Sequence, residues 1–388
     1  MAIPTFPRLV LGILLARTTS TMVQLILVLF ALERYGSPVL AGLVTLLSIA
    51  PGLLLSPIAG ALLDRHGRTR LMALDYLVAA LCLTLIVSLA ATGALSEIAL
   101  LAIVAVQSLT FPLSQTGART LFPLLVSEPL WERANAIDSN MYVVSSIFGP
   151  ALAGVLVASA GSLWALGVSA AIHVIAAIVT VGIRDPIAVM PHGGLLSDAL
   201  AGLLYVLRHP TLRGLALTVG TANIANGLFY IGLPVLVLSR LGGDAALIGQ
   251  LFALNGLVAA ASVLFFGRIR TEGREPRLMA ASIFGAGLGY LVAIASPQLM
   301  AVTIAMVVIG LATGPFDIAL FTIRQRRTDP AWLGRAFAVS MSLNFIGFPV
   351  GSALSGARAP FSLEWVFSAA FAMCAVAAAL TFVLIPKE

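Results

Sequence analysis

A run of about twenty or more apolar residues recurs twelve times along this chain, and that recurrence limits what it can fold into. Hydrocarbon offers no water to satisfy backbone N–H and C=O groups, so such runs must satisfy them internally, as helices or as closed barrels. A barrel strand would show about ten residues of alternating polarity. These runs are longer and do not alternate, so an all-α membrane protein is expected. The spacing predicts spans at 9–32, 39–63, 71–92, 96–117, 136–160, 164–183, 212–237, 246–267, 278–296, 299–322, 335–356 and 364–385. Charged residues make up only 10% of the chain, against about 25% in a soluble domain. That excludes disordered and collagen-like chains. It also excludes a nucleic-acid-binding domain, although the net charge is +6. No basic stretch precedes Leu9, so the first run reads as a retained span, not a cleaved signal.

The excess of basic residues has a topological reading. With the N-terminus inside, 18 of the 22 Lys and Arg fall in cytoplasmic connections, three (Arg34, Arg240, Arg358) fall outside, and Arg17 lies within a span. This asymmetry predicts that both termini are cytoplasmic, in a bacterial inner membrane. One connection is long. Residues 184–211 separate a six-span half (1–183) from a second (212–388), and Ser197 to Arg208 carries apolar residues at helical spacing. An amphipathic interfacial helix capped by Ser197 or Asp198 is expected there.

The two halves repeat. At an offset of 207, Gly60, Arg70, Leu71, Met72 and Ala73 recur as Gly267, Arg277, Leu278, Met279 and Ala280. At an offset of 202, Arg133-Ala134, Gly149 and Gly154 recur as Arg335-Ala336, Gly351 and Gly356. Six spans repeated in one orientation imply a pseudo-two-fold axis along the membrane normal and a substrate path between the halves.

Gly60-x-Leu62-x-Asp64-Arg65-x-Gly67-Arg68 resembles the loop 2–3 motif of the major facilitator superfamily. Three further stretches resemble the exporter branch that includes the enterobactin exporter and the macrolide efflux proteins. They are Pro123-Leu-Leu-Val…Arg133-Ala-Asn135-Ala, Phe148-Gly149-Pro150-Ala-Leu-Ala-Gly154 and Leu207-Arg208-His209-Pro210-Thr-Leu-Arg213. The resemblance covers the whole chain and implies twelve helices in two pseudo-symmetric halves. It also implies a gate at Gly60, Asp64, Arg65, Gly67 and Arg68 that stabilises the outward-open state. In physical terms, Gly67 permits a φ > 0 turn, and Asp64 can sit near a helix N-terminus or pair with an Arg. The basic residues read equally as topology signals. The partner of Arg68 is expected at Asp75 or Asp138, each otherwise a first-turn residue of its helix. Gly149, Pro150 and Gly154 resemble part of an antiporter motif, with close small-residue packing as the plain alternative.

Charges inside the membrane are costly and mark function. Asp317, after Gly314 and Pro315 in span ten, is the candidate proton-coupling acid, with Arg17 as the nearby group opposing its protonation; a rim pair with Arg324 or Arg326 is the alternative. By the resemblance, spans one, four, seven and ten line the cavity, whose candidate polar and aromatic groups are Gln24, Gln107, Gln115, Asn223, Asn226, Tyr230 and Phe316, with Phe111, Phe229 and Phe321 beside them. Such a cavity suits a largely apolar, weakly polar substrate. His173, Cys82 and Cys374 read as packing residues. The chain shows no metal-spaced cysteines and no phosphate or nucleophile motif, so no enzyme, cofactor or metal site is expected.

The combined expectation is a monomeric secondary transporter in the lipid bilayer, exporting a small amphipathic molecule (a drug, siderophore or metabolite) in exchange for protons. A proton-independent facilitator or lysophospholipid translocator is the alternative. Reporter fusions after residues 68, 190, 272 and 328 should read cytoplasmic, and fusions after 36, 94, 242 and 358 periplasmic. One swapped pair would remove the twelve-span topology.

Overall fold

The computed structural model describes residues 5–126, 130–183, 195–268, 271–296, 298–329 and 332–386, with only the backbone of a few, Gly60 and Asp64 among them. Every regular element among the described residues is helical: α1 (Phe6–Tyr35), α2 (Pro38–Leu47), α3 (Ala50–His66), α4 (Arg68–Ala91), α5 (Glu97–Leu125), α6 (Trp131–Ala160), α7 (Ser162–Thr180), α8 (Leu195–Arg208), α9 (Pro210–Arg240), α10 (Ala245–Phe266), α11 (Glu275–Ala295), α12 (Leu299–Arg327), α13 (Leu333–Phe345), α14 (Gly347–Arg358) and α15 (Leu363–Leu384). Eleven segments are long and apolar enough to cross a membrane among the described residues. The twelfth crossing is the pair α13 and α14, neither of which is long enough alone. The fold is therefore the expected twelve-span bundle.

Spans two and eleven are each broken, which the hydropathy pattern does not reveal. The breaks share a cause. Pro51 has no N–H for the carbonyl of Leu47, where α2 ends, and Pro349 none for that of Phe345, where α13 ends. A proline also crowds the carbonyl four residues before it. Pro150, Pro234 and Pro315 lie inside α6, α9 and α12 without interrupting them.

The connections follow from local chemistry. At the ends remote from the termini, Ser37, Ser96, Asp244 and Ser362 cap α2, α5, α10 and α15, each accepting a backbone N–H three residues on. Between α3 and α4 stands one residue, Gly67, at φ 90°, as its place in the motif requires. The expected cap on α8 is not formed. The helix begins by Leu195, so Ser197 and Asp198 lie inside it, and their side chains, like residues 184–194, are outside the described residues. Leu200, Leu204 and Leu207 are exposed along one face of α8, and Val206 is buried on another. The Tyr205 ring stacks on Trp332 at 4.8 Å.

The first six spans pack α4 on α5 and α7, and α1 on α6 and α7. The last six repeat this with α11 on α12 and α15, and α9 on α14 and α15. Between the two sets lie two seams, α2 on α14 and α6 on α10. Each seam is built on a pair of glycines. A Cβ on Gly42 would lie 2.5 Å from the Ser352 carbonyl oxygen and 3.1 Å from the Gly356 Cα. A Cβ on Gly249 would lie 2.5 Å from the Pro150 carbonyl and 2.9 Å from the Gly154 Cα. The reciprocal contacts are Gly356 on the Pro38 carbonyl and Gly154 on that of Ala245. Gly42 and Gly249 are 207 residues apart, and Gly154 and Gly356 are 202 apart, the same offsets as the sequence repeat. The repeat thus becomes a physical two-fold in which one seam is the copy of the other. Both glycine crossings lie near the helix ends remote from the termini, where they bring the two sets into close backbone contact.

Added bulk at a seam costs about 1–3 kcal/mol in a packed interior. Gly42→Val and Gly249→Val should therefore open the end that the crossings hold together. In each, a cysteine placed at the exposed position Asn226 should react faster with a membrane-impermeant maleimide added to that side. Cys82 and Cys374 are both buried and should give little background. Labelling unchanged from the parent would mean that the glycine crossings do not form the seal.

Candidate functional site

Among the described residues, the charged groups inside the bundle include a compensated centre around Arg17 and Asp138 and an acid without an ion-pair partner, Asp317. The compensated centre lies between α1, α5 and α6. Arg17 and Asp138 pair at 2.7 Å, and Arg119 approaches the other carboxylate oxygen at 3.9 Å. The Arg17 guanidinium lies over the Tyr142 ring, 3.9 Å from its centroid, with Arg119 at 5.1 Å. Tyr142 donates its hydroxyl to Gln115 Oε1 at 2.8 Å. Arg17 is 5% exposed, and its Nη2 is buried with no hydrogen-bond partner. A small cavity beside it is lined by Ser20, Tyr76, Ser114 and Gln115.

This arrangement differs from the expected placement of Arg17 beside Asp317 as the group opposing its protonation. α1 packs on α6, which aims the guanidinium at Asp138 and commits its charge there. Asp75 and Asp138 are also not first-turn residues. α4 starts at Arg68 and α6 at Trp131, so both acids lie seven residues into their helices. Neither pairs with Arg68, whose Nε donates to Thr120 Oγ1 at 3.2 Å. The side chains of Asp64 and Gly60 lie outside the described residues.

The uncompensated group is Asp317. It sits half-buried in α12, and no ion-pair partner reaches it among the described residues. The expected rim alternative is not formed. Arg326 bonds Glu275 at 2.7 Å and lies 4.0 Å from Glu272. Arg324 turns to the sulfur of Met341 at 3.2 Å. Phe316 beside Asp317 is half-buried. Gly314, one turn earlier, packs directly on the backbone of Ser262 and Val263 in α10, and Ser262 donates to the Leu311 carbonyl at 2.6 Å.

The remaining candidates divide. Asn226 is exposed, and Tyr230 packs on Phe252 and Phe348, both at 5.3 Å between centroids. Those two phenylalanines carry no polar signal, and sequence reasoning missed them. Asn223 is a tie between helices, donating to the Asn344 carbonyl at 2.9 Å. Phe229 is core, packed between Tyr290 and Phe367. Gln24 and Gln107 share a cavity with Phe111, Asp75 and His173, whereas Gln115 belongs to the Arg17 centre. The Gly149-Pro150-Gly154 stretch joins two neighbours. Gly149 presses on Thr21 of α1, which donates to the Ser145 carbonyl at 2.9 Å, and Gly154 forms the α10 seam. No group of three or more metal-ligating side chains occurs among the described residues.

A twelve-span bundle with a two-fold repeat, two glycine seams and ionisable groups within its spans has the build of a membrane transporter. The family model of the Major Facilitator Superfamily matches residues 9–272 and 215–388, and the chain belongs to that family. It is 35% identical over 389 residues to an uncharacterized MFS-type transporter of Sinorhizobium fredii, covering 100% of this chain and 96% of that one. It is 27% identical over 303 residues to the enterobactin exporter EntS of Salmonella typhimurium, covering 77% and 72%. The fold is similar to that of the nucleoside transporter NupG, with a TM-score of 0.78 at 13% identity over 100% of both chains. The protein is a multi-pass membrane transporter of this superfamily.

The Arg17–Asp138 pair makes a direct prediction. Removing one partner of a buried ion pair strands the other charge, which costs about 3–5 kcal/mol. Asp138→Ala should lower the thermal stability of the purified protein sharply. Arg17→Met combined with Asp138→Leu should recover most of it. A double variant no more stable than Asp138→Ala would show that the pair does more than balance charge.

Proposed function

We propose that this transporter exports a small amphipathic, largely apolar molecule in exchange for protons. The two six-helix halves, 1–183 and 212–388, rock about the cavity, with 184–211 as the linker between them. The observation that carries the reading is Asp317: a half-buried carboxyl in span ten with no ion-pair partner among the described residues. An unpaired acid at that depth is costly to keep ionised, and it finds its use in binding and releasing a proton. The substrate class rests on the surroundings. Tyr230, Phe252, Phe348 and Phe316 supply aromatic surface, and Asn226 supplies an amide with no hydrogen-bond partner among the described residues. The export direction rests on the similarity to the enterobactin exporter, a protein named for that direction.

The arginine asymmetry supports cytoplasmic termini in a bacterial inner membrane. In that orientation the glycine seams seal the periplasmic end, and the state is closed to the outside. Gly67 and Arg68, at the cytoplasmic turn between spans two and three, then belong to the gate that must form when the halves rock the other way. The transporter acts as a monomer, since each copy holds both halves.

The test is uptake of amphipathic compounds into inside-out vesicles under an imposed proton gradient. Asp317→Asn should abolish gradient-driven uptake while leaving substrate binding intact. Gradient-driven uptake near the parent rate would end the coupling role of Asp317. Parent uptake that ignores the gradient would favour a proton-independent facilitator.

A further inference from the structure

A second pair of ionisable groups lies wholly inside the first six spans, away from Asp317. Asp75 of α4 and His173 of α7 border one cavity, with Ser20 and Gln24 from α1 and Gln107 and Ser108 from α5. Asp75 is 5% exposed and His173 is 2% exposed. Each lies seven residues from the terminal-side end of its helix, about 10 Å deep at 1.5 Å per residue. The Oε1 of Gln107 in the same wall is buried and has no hydrogen-bond partner.

The bonding around both groups is suited to a change of protonation. The hydroxyls of Thr110 and Ser114 lie beside the Asp75 carboxyl and donate to the backbone carbonyls of Gln107 and Phe111, both at 3.2 Å. A hydroxyl bonded in this way keeps lone pairs to accept from a carboxylic acid, and by rotating it can donate to a carboxylate, so both forms are accommodated without rearrangement of the helices. His173 Nδ1 lies 2.9 Å from the Ser169 carbonyl oxygen. A carbonyl only accepts, so Nδ1 carries the hydrogen, and the neutral ring keeps its Nε2 lone pair for an incoming proton. Among the described residues, no permanent charge pairs with Asp75. From α5, Arg119 is drawn to Asp138, and so is Arg17 from α1. From α3, Arg65 and His66 stand exposed at its end, and on α4 itself Arg68 and Arg70 stand at its start. From α7, His173 is the titratable group that faces the acid's cavity. A purely structural carboxyl would be expected to hold a salt bridge, as Asp138 does; this one faces hydroxyls, an unused amide oxygen and an imidazole.

We propose that Asp75 and His173 together bind one proton within the N-terminal spans, at a site separate from Asp317. The proton forms an O–H bond on the carboxylate or an N–H bond on Nε2, and no other bond changes. The proposal deepens the proton-driven reading, and only the use of the proton, not its binding, rests on that reading. It gives the first six spans a proton acceptor of their own.

The test reads proton binding without transport. The full-length protein in lipid nanodiscs is titrated between roughly pH 5 and 9 while its infrared carboxylic C=O band is followed. The parent should show a band that disappears as pH rises. Asp75→Asn, which keeps the shape and the hydroxyl contacts, should lack that component, and Asp75→Glu should restore one. His173→Gln, which can still donate to the Ser169 carbonyl, should displace its midpoint by about one pH unit. Asp317→Asn should leave it in place. A band of full amplitude in Asp75→Asn overturns the site, and an unmoved midpoint in His173→Gln overturns the pair. If the Asp75 component is present but transport ignores the proton gradient, the site stands and the antiport reading fails.

Discussion

Two glycine crossings hold the first six spans against the last six, and the rest of the structure is arranged around them. In a bilayer, lipid tails are as apolar as leucine, so helices gain little by hiding apolar surface from one another. They associate where backbones can come close. Gly42 on Gly356 and Gly154 on Gly249 allow that approach, with carbonyls of Pro38, Pro150, Ala245 and Ser352 in direct contact with the opposing glycine. The broken spans serve the same end. α2 and α14 are short because Pro51 and Pro349 interrupt spans two and eleven, so each seam segment can lie at its own angle to the rest of its span.

Directional bonds are distributed differently. The described ion pairs lie within one set of six spans: Arg17 and Arg119 on Asp138 in the first, Arg240 on Glu364 and Arg326 on Glu272 and Glu275 in the second. Between the sets, the seams rest on close backbone contact, with a Ser56–Ser342 hydroxyl contact at 3.1 Å. Within each set one pair, Arg17–Asp138 or Arg326–Glu275, holds a buried charge, and it resists deformation because breaking it strands that charge. Close packing between sets can be undone with little electrostatic cost. A rigid-body rocking motion needs this division.

Much of this was legible in the chain. Long apolar runs gave the helices, and the offsets of 207 and 202, noticed in a motif and two glycines, turn out to relate the two seams. The broken spans were hidden because hydropathy averages over a proline. The positions of the charges were only partly legible. Arg17 and Asp317 were both found as intramembrane charges, but which acid Arg17 meets depends on the packing of α1 against α6, between residues 121 apart in sequence. Asp138 and Tyr142 stand four apart on one helix face. That spacing signals a shared partner once α6 is known to begin at Trp131. His173 read as packing because a lone histidine carries no spacing; its significance comes from the cavity it shares with Asp75.

The asymmetry between the sets is the remaining step. The repeat relates the two seams, yet the buried charges do not follow it. At the offset of 202, Asp138 and Tyr142 correspond to Ser340 and Asn344, so the arginine-binding acid of span five has no copy in span eleven. At the offset of 207, Asp75 corresponds to Ser282. The second set instead places Asp317, an acid with no ion-pair partner among the described residues, on span ten. A symmetric scaffold supplies two equivalent seams and a way to rock, but symmetric charges would give the two sets equal responses to a proton. Under the proposed proton binding, acids that sit on different spans of each set make protonation act on the two sets unequally. Such inequality is what allows proton binding to favour one tilt of the bundle over the other.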